Sequence, residues 1–333
     1  MRVVEFLYHL GYAAKKRIVL ARRKRLPAKV ISIGNLTVGG TGKTPAAIAV
    51  AEEAKNRGYQ PIILTRGYMG NARGPCFVSD GADILLNAEQ AGDEPLVMAR
   101  RLKNVPVVKS ADRYEGGLLA LRRFGDSAER PLLFILDDGF QHWMLHRDAD
   151  VVLVDGQTGF GNGKMLPVGP LRGPLSELKD ADILVITKTR NEQLADNIRK
   201  VNPEAPIFFA THEITGLVRP DGETVDRAVL KNKKVLAFCG IANPGSFRKT
   251  ISRFGCEVVE LRQFRDHHRY NEKELRNMEA KARELGAEFL LTTEKDMVKL
   301  IELSSAPANL LSVEIGFCAD AGFYEQLFKL AAG

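Results

Sequence analysis

The stretch Thr37-Val38-Gly39-Gly40-Thr41-Gly42-Lys43-Thr44 constrains this chain more than anything else in it. Before it lies a short β-branched run, residues 29–33. After it lies a helical stretch, residues 44–57, with Ala47, Ile48, Ala51 and Ala54 on one face and Gly58 at the end. Strand, glycine loop, helix is the setting of the phosphate-binding pattern GxxxxGK[ST], met here except that Thr37 replaces the first glycine. Gly39, Gly40 and Gly42 let backbone N–H groups turn toward phosphate oxygens, and the helix aims its positive end at the same anion. Lys43 reaches the β- and γ-phosphates, and the Thr44 hydroxyl can ligate Mg²⁺. Thr37, Val38, Gly39, Gly40, Thr41, Gly42, Lys43 and Thr44 are therefore the expected nucleotide contacts. Pro45 falls in the first helical turn, where its missing N–H costs nothing. A plain glycine turn with a chance Lys-Thr pair is the alternative, and the flanking elements weigh against it.

Continuous apolar runs recur at 62–64, 105–108, 132–136, 151–154 and 183–186, as expected for parallel strands covered on both faces. Helical stretches lie between several of them, so residues 27–205 read as a P-loop NTPase-like α/β/α layered domain with a mostly parallel sheet. Residues 207–225 break the rhythm around the turn Arg219-Pro220-Asp221-Gly222 and read as a β-hairpin, the core of a linker over 206–228. A second series follows, with strands at 235–239, 258–261, 289–292 and 310–315 and helices at 271–285 and 321–330. The expectation is a second, smaller α/β domain over 229–333. A length of 333 residues allows two such cores.

A P-loop protein also needs a carboxylate at a strand end to hold its metal. The run 131–136 ends in Asp137-Asp138-Gly139, which nominates Asp137 and Asp138 with Thr44 as the Mg²⁺ set, against the reading of a capped turn with solvated acids. Guanine recognition would show [NT]KxD after a late strand. Thr187-Lys188-Thr189-Arg190 has Arg190 at the fourth position, which argues against it. A kinase needs a base for the acceptor hydroxyl. Asp93 in Gly92-Asp93-Glu94-Pro95 is either that base or a helix N-cap. In Asp266-His267-His268 either histidine could orient a base or bind phosphate, or the pair could be ordinary surface residues.

The net charge of +7 fits an acidic partner: nucleic acid, anionic lipid or a phosphorylated substrate. Aromatics make up only 7% and no basic–aromatic platform is visible, so no nucleic-acid partner is expected. Residues 1–26 combine Val3, Val4, Phe6, Leu7, Leu10 and Tyr12 with Lys15, Lys16, Arg17, Arg22, Arg23, Lys24 and Arg25. Such an amphipathic helix suits either an anionic membrane surface or the protein's own core. No apolar run reaches the roughly 18 residues of a spanning helix, and no signal peptide is apparent. Cys76, Cys239, Cys256 and Cys318 show no metal spacing and read as reduced, mostly buried thiols.

Taken together, ordered blocks along nearly the whole chain resemble the tetraacyldisaccharide 4'-kinase family. They are Gly34-Asn35-Leu36-Thr37 through Thr44-Pro45, Leu64-Thr65-Arg66-Gly67-Tyr68, Gly92-Asp93-Glu94-Pro95, Ala111-Asp112-Arg113 and Asp137-Asp138-Gly139-Phe140-Gln141-His142. Then follow Phe160-Gly161-Asn162-Gly163, Leu166-Pro167, Gly169-Pro170-Leu171-Arg172, Gly240-Ile241-Ala242-Asn243-Pro244, Asp266-His267 and Thr293-Glu294-Lys295-Asp296. The resemblance implies transfer of the ATP γ-phosphate to the 4'-hydroxyl of a tetraacyl glucosamine disaccharide 1-phosphate, giving lipid IVA, with Mg²⁺ as cofactor. It implies Asp93 as general base oriented by His267, with Lys43 on the phosphates. It also places Arg66, Asp112, Arg113, Gln141, His142, Asn162 and Arg172 on the glycolipid side. Peripheral attachment to an anionic membrane, on the cytoplasmic face of the bacterial inner membrane, follows from the same likeness. The family usually reads Leu-Arg-Glu-Pro where this chain has Leu171-Arg172-Gly173-Pro174, so no carboxylate is expected there. The alternative is an NTP-dependent switch or metal-delivery chaperone, which would hydrolyse nucleotide without a lipid acceptor.

Overall fold

The computed structural model describes residues 2–125, 129–304 and 306–332, with side chains from Gly11 onward. In the first half the strands are β1 (Lys29–Asn35), β2 (Gln60–Thr65), β3 (Cys76–Ser79), β4 (Val107–Lys109), β5 (Leu132–Asp137), β6 (Ala149–Asp155) and β7 (Ile183–Thr187). Then come β8 (Ile207–Val218), β9 (Thr224–Val225), β10 (Lys234–Cys239), β11 (Glu257–Gln263), β12 (Phe289–Thr293) and β13 (Leu310–Ala319). The helices are α1 (Arg2–Leu20), α2 (Lys43–Asn56), α3 (Ala88–Ala91), α4 (Asp93–Arg101), α5 (Arg113–Phe124), α6 (Glu192–Arg199), α7 (Pro244–Ile251), α8 (Glu272–Glu284), α9 (Glu294–Leu300) and α10 (Phe323–Ala332).

The expected strands are present, and they belong to one sheet in the order β11-β10-β12-β13-β8-β7-β6-β1-β5-β2-β4-β3, with β9 paired to β8. All neighbours are parallel except β13–β8, β3–β4 and β8–β9. The interiors of β1, β2, β5, β6 and β7 are buried on both faces. Ile31, Ile63 and Ile135 pack with the alanines of α2, and Val30, Ile62 and Phe134 pack on the opposite face with Leu26 and Ala120. Burying a branched aliphatic side chain is worth about 1.5–3 kcal/mol, so these layers hold the sheet in register.

The segment read as a linker hairpin is more than that. Its turn does join β8 to β9, with Leu217 opposite Val225. But β8 changes partner along its length. Ile207 to Ala210 lie parallel to β7, and Ala210 to Val218 lie antiparallel to β13. The two βα series therefore run in opposite directions within one sheet. β7 ends at Thr187 opposite Ala210, whereas β12 ends at Thr293 opposite Val313, which itself pairs with Leu217. The C-terminal strand edges of the two series face each other across the middle of β8, about 20 Å apart at roughly 3.3 Å per residue. Loops after β1 and β5 on one side, and after β10, β11 and β12 on the other, empty into this cleft.

The side chains of the apolar stripe from Val3 to Leu10 lie outside the described residues. The following turns of α1 dock in part on the protein itself. Lys16 pairs with Glu177 at 2.7 Å and Asp180 at 2.5 Å, and the Tyr12 ring meets Trp143 edge-on at 5.1 Å. No helix among the described residues is long and apolar enough to cross a membrane. The four cysteines are free thiols; only Cys239 is buried, and Cys318 is exposed, so the expectation of mostly buried thiols does not hold.

Candidate active site

The loop after β1 leads into α2 through Gly39 and Gly42, at φ +115° and +90°, conformations an L side chain resists. Gly42 is the residue that caps α2. Thr37 bridges Leu171 and the Val38 N–H donates to the Pro170 carbonyl at 2.8 Å, so the 161–172 loop braces the outer side of the turn. The Lys43 ammonium lies 3.2 Å from Asn35 Oδ1 and 3.6 Å from Asp138 Oδ1. Arg172 donates to both Asp138 oxygens at 3.0 and 2.8 Å. Burial pushes the Asp138 carboxyl upward, but Lys43 and Arg172 outweigh it and hold it below the usual carboxylate range.

Asp137 is different. Its Oδ2 accepts the Thr65 hydroxyl at 3.0 Å, while Oδ1 is buried without a partner among the described residues. Burial, with the nearby negative charges of Glu94 and Asp138, pushes its carboxyl up to about 7. A buried carboxylate oxygen and the Thr44 hydroxyl are both oxygen donors of the kind a hard cation takes. Among the described residues no group of three His, Cys, Asp or Glu is gathered for a metal.

Across the cleft stand Asp93 and His267. Gly92, at φ +91°, takes the N-cap of α4, so Asp93 is the first helical residue and is not the cap. Its Oδ1 accepts the Glu94 N–H at 2.9 Å, and its Oδ2 is 2.8 Å from His267 Nδ1. His267 sits at φ +56° just past β11, and its N–H donates to the Gly240 carbonyl. Burial pushes the Asp93 carboxyl upward, yet the His267 hydrogen bond and the charges of Lys295 and Lys299 prevail and keep it ionised. The hydrogen bond to Asp93 in turn raises the His267 imidazole. His267 is thus tied to Asp93 rather than to a surface partner, and Gly92, not Asp93, takes the N-cap of α4.

The remaining expected residues divide. Arg66 and Asp112 line a cavity of about 560 Å³ that also includes Tyr68, whose ring lies 5.6 Å from His267. Gln141, His142 and Arg172 line a second one, about 720 Å³, shared with Tyr12, Lys15 and Val19 of α1. Arg113 is not brought to either. It is 3% exposed and donates to the carbonyls of Ser110, Ala111 and Asp137, where burial lowers it to about 10. Asn162 braces its own loop, donating to the Val168 carbonyl and accepting from the Lys164 N–H. The missing carboxylate at Gly173 has a steric counterpart: a Cβ there would overlap the Tyr12 hydroxyl oxygen.

Lys295 and Asn35 belong to the site and escape a reading of the sequence residue by residue. Lys295, at the start of α9, pairs with Glu94 beside Asp93, and its neighbour Glu294 accepts from Arg101 at 3.2 Å. Both lie in the Thr293-Glu294-Lys295-Asp296 block, which is the available signal. Asn35, holding Lys43, lies in the block before the glycine loop.

The sequence model of the family described as tetraacyldisaccharide-1-P 4'-kinase matches residues 1–332. The chain is 40% identical over 334 residues to a tetraacyldisaccharide 4'-kinase of Syntrophus aciditrophicus, covering 95% of this chain and 88% of the relative. It is 41% identical over 281 residues to that of Geobacter metallireducens, covering 84% and 80%. Among solved structures, LpxK from Aquifex aeolicus in complex with ATP superposes with a TM-score of 0.78 at 33% identity, over 98% of this chain and 97% of that one.

Proposed function

The chain belongs to the tetraacyldisaccharide-1-P 4'-kinase family, and from that membership we infer that it transfers the γ-phosphate of ATP to the 4'-hydroxyl of a tetraacyldisaccharide 1-phosphate. It is an ATP-dependent kinase of lipid A biosynthesis. The assignment of its residues is our proposal, carried by one observation: an acid–imidazole dyad, Asp93 and His267, drawn from opposite strand edges and meeting 2.8 Å apart over the cleft that the glycine loop enters.

In this reading Thr37 to Thr44 cradle the phosphates, and Lys43 leaves Asn35 and Asp138 for the β- and γ-phosphates. Thr44, Asp137 and Asp138 would hold Mg²⁺, which would supply neutralisation of the developing charge. Asp93 is ionised and accepts the proton of the acceptor hydroxyl. His267, donating from Nδ1, fixes the orientation of that carboxylate and stabilises its charge. Two converging halves exclude water, which favours transfer to the sugar over hydrolysis. Arg66, Asp112, Gln141, His142 and Arg172 are placed on the glycolipid side because they line the two cavities. Arg113 and Asn162 are assigned supporting roles there, since each is spent on loop carbonyls.

A four-chain lipid stays in the bilayer while ATP arrives from water, so the site must work at a membrane surface. We propose that α1 provides the attachment, peripherally and on the cytoplasmic face of the inner membrane. Ile18 and Leu20 are 59% and 39% exposed, and Lys15, Arg17 and Arg22 are exposed beside them. This pattern fits anionic lipid, with each basic residue worth about 1 kcal/mol near such a surface. Co-sedimentation with anionic vesicles should fall when residues 1–25 are removed; equal partitioning removes α1 from the role. The kinase reading is tested by transfer of labelled phosphate from ATP to the disaccharide lipid, which Lys43→Ala should abolish. Hydrolysis of ATP at full rate without acceptor, and no labelled lipid, would point to a switch.

A further inference from the structure

His212 lies on β8 two residues beyond Ala210, where the strand has left β7 and crosses the cleft paired to β13. Along this stretch side chains alternate, with Thr211 and Glu213 exposed and His212 half-buried on the other face. That face carries the glycine loop. A Cβ on residue 42 would overlap Nε2 and Cε1 of His212, so the imidazole edge rests directly on Gly42. The adjoining residue of the loop is held by the adjoining strand: the Thr187 hydroxyl, at the end of β7, donates to the Thr41 carbonyl at 3.0 Å.

Two buried polar atoms, His212 Nε2 and Thr41 Oγ1 of the loop, have no partner among the described residues. Leaving a buried polar atom unpaired is unfavourable, and such atoms occur where a ligand completes them. The ring is neutral: burial and the Lys188 ammonium lower it to about 4, against the opposite pull of Asp155. A neutral imidazole can carry its proton on Nε2 and so present a donor at the loop.

Resting on the reading of the loop as the nucleotide site, we propose that His212 is a nucleotide-binding residue whose Nε2–H donates to a phosphate oxygen on the Gly42 side of the loop. Sequence patterns carry no hint of it, because nothing about an isolated histidine in a strand points to a loop 170 residues earlier. Its place on the strand shared by both series links the loop's glycines to the span joining the two halves.

Titrate the full-length protein with Mg·ADP and with Mg·pyrophosphate, following binding by calorimetry, and record unliganded thermal unfolding for each variant. His212→Leu keeps bulk and removes the polar atom. It should weaken both ligands about tenfold, the scale of one hydrogen bond to a charged group, while its unliganded unfolding stays near wild type. His212→Gln returns a nitrogen donor near the Nε2 position and should recover most of the loss. In turnover, KM for ATP should rise more than kcat falls. A folded His212→Leu protein that binds both ligands within twofold of wild type overturns the proposal, and so does a loss confined to ADP with pyrophosphate unaffected. Lys43→Ala in the same titration separates the two readings. If it too binds normally, the loop is not the nucleotide site and the kinase assignment of its residues fails. If it alone loses binding, only the role of His212 falls.

Discussion

Asp93 and Asp137 are both buried carboxylates at the mouth of the same cleft, and they are shifted in opposite directions. Desolvation raises both. At Asp93 it is overcome by a hydrogen bond from His267 and by Lys295 and Lys299, all from the second half of the chain. At Asp137 it is reinforced by Glu94 and Asp138, with Lys43 and Thr65 too weak to reverse it. The difference teaches what each site lacks. Asp93 has its charge and its orientation held by partners within the chain. Asp137 has one oxygen bonded and one without a partner among the described residues, and burial beside two other acids disfavours its negative charge.

The largest effect should follow from breaking the finished site. Asp93→Asn keeps the shape and the contact to His267 but removes the base. Turnover should fall about 10²–10⁴-fold, the range of general-base catalysis, with Mg·ATP affinity nearly unchanged. His267→Gln should cost less, because it removes the orienting partner and leaves the carboxylate. It should also move the acidic limb of the kcat profile upward, since the hydrogen bond that holds Asp93 low is weakened. A His267→Gln enzyme with an unmoved profile would reduce His267 to packing. Both losses should be seen at saturating ATP, in contrast to Lys43→Ala, which acts on the phosphate side.

How much of this asymmetry can be read in the sequence depends on distance along the chain. The glycine loop, Asp137 and Asp138 are local: each follows a continuous apolar run, and such runs mark parallel strands buried on both faces. The dyad is not local. Asp93 and His267 are 174 residues apart, and each alone has an ordinary explanation, a cap and a surface histidine. Only the resemblance to a family joins them. The cap reading fails because Gly92 adopts a backbone conformation suited to glycine and takes that position itself. The continuous sheet is not legible for a related reason. β8 reads as a hairpin arm because its turn lies at 219–222, and nothing in its residues states that it exchanges β7 for β13 halfway. α9 follows β12 without a connecting loop, and its seven residues are too few for a helical period to show.

The smaller effect is one of stability, and its sign distinguishes the two acids. Asp93 has a folded pKa below its unfolded value. It therefore contributes stability that is present above the unfolded pKa and lost as pH falls through the folded one. Asp137 has a folded pKa of about 7 against 3.8 for the free side chain. The folded protein then binds the extra proton between those values, and the stability tied to it declines as pH rises from about 4 to 7. At pH 8, without nucleotide, Asp93→Asn should lower Tm and Asp137→Asn should raise it, each by a few degrees on a scale where 1 kcal/mol moves a mid-sized chain by about 2–4 °C. At pH 4 the gain from Asp137→Asn should vanish, because Asp137 is already neutral in the folded protein and half-neutral in the unfolded one. Adding Mg·ADP at pH 8 should reverse the order, since the wild type gains ligand stabilisation that the Asp137→Asn protein cannot match. Differential scanning fluorimetry across pH reads all of this. If both substitutions lower Tm alike at pH 8, Asp137 is not an unsatisfied acid, and the contrast between a finished and a waiting carboxylate falls.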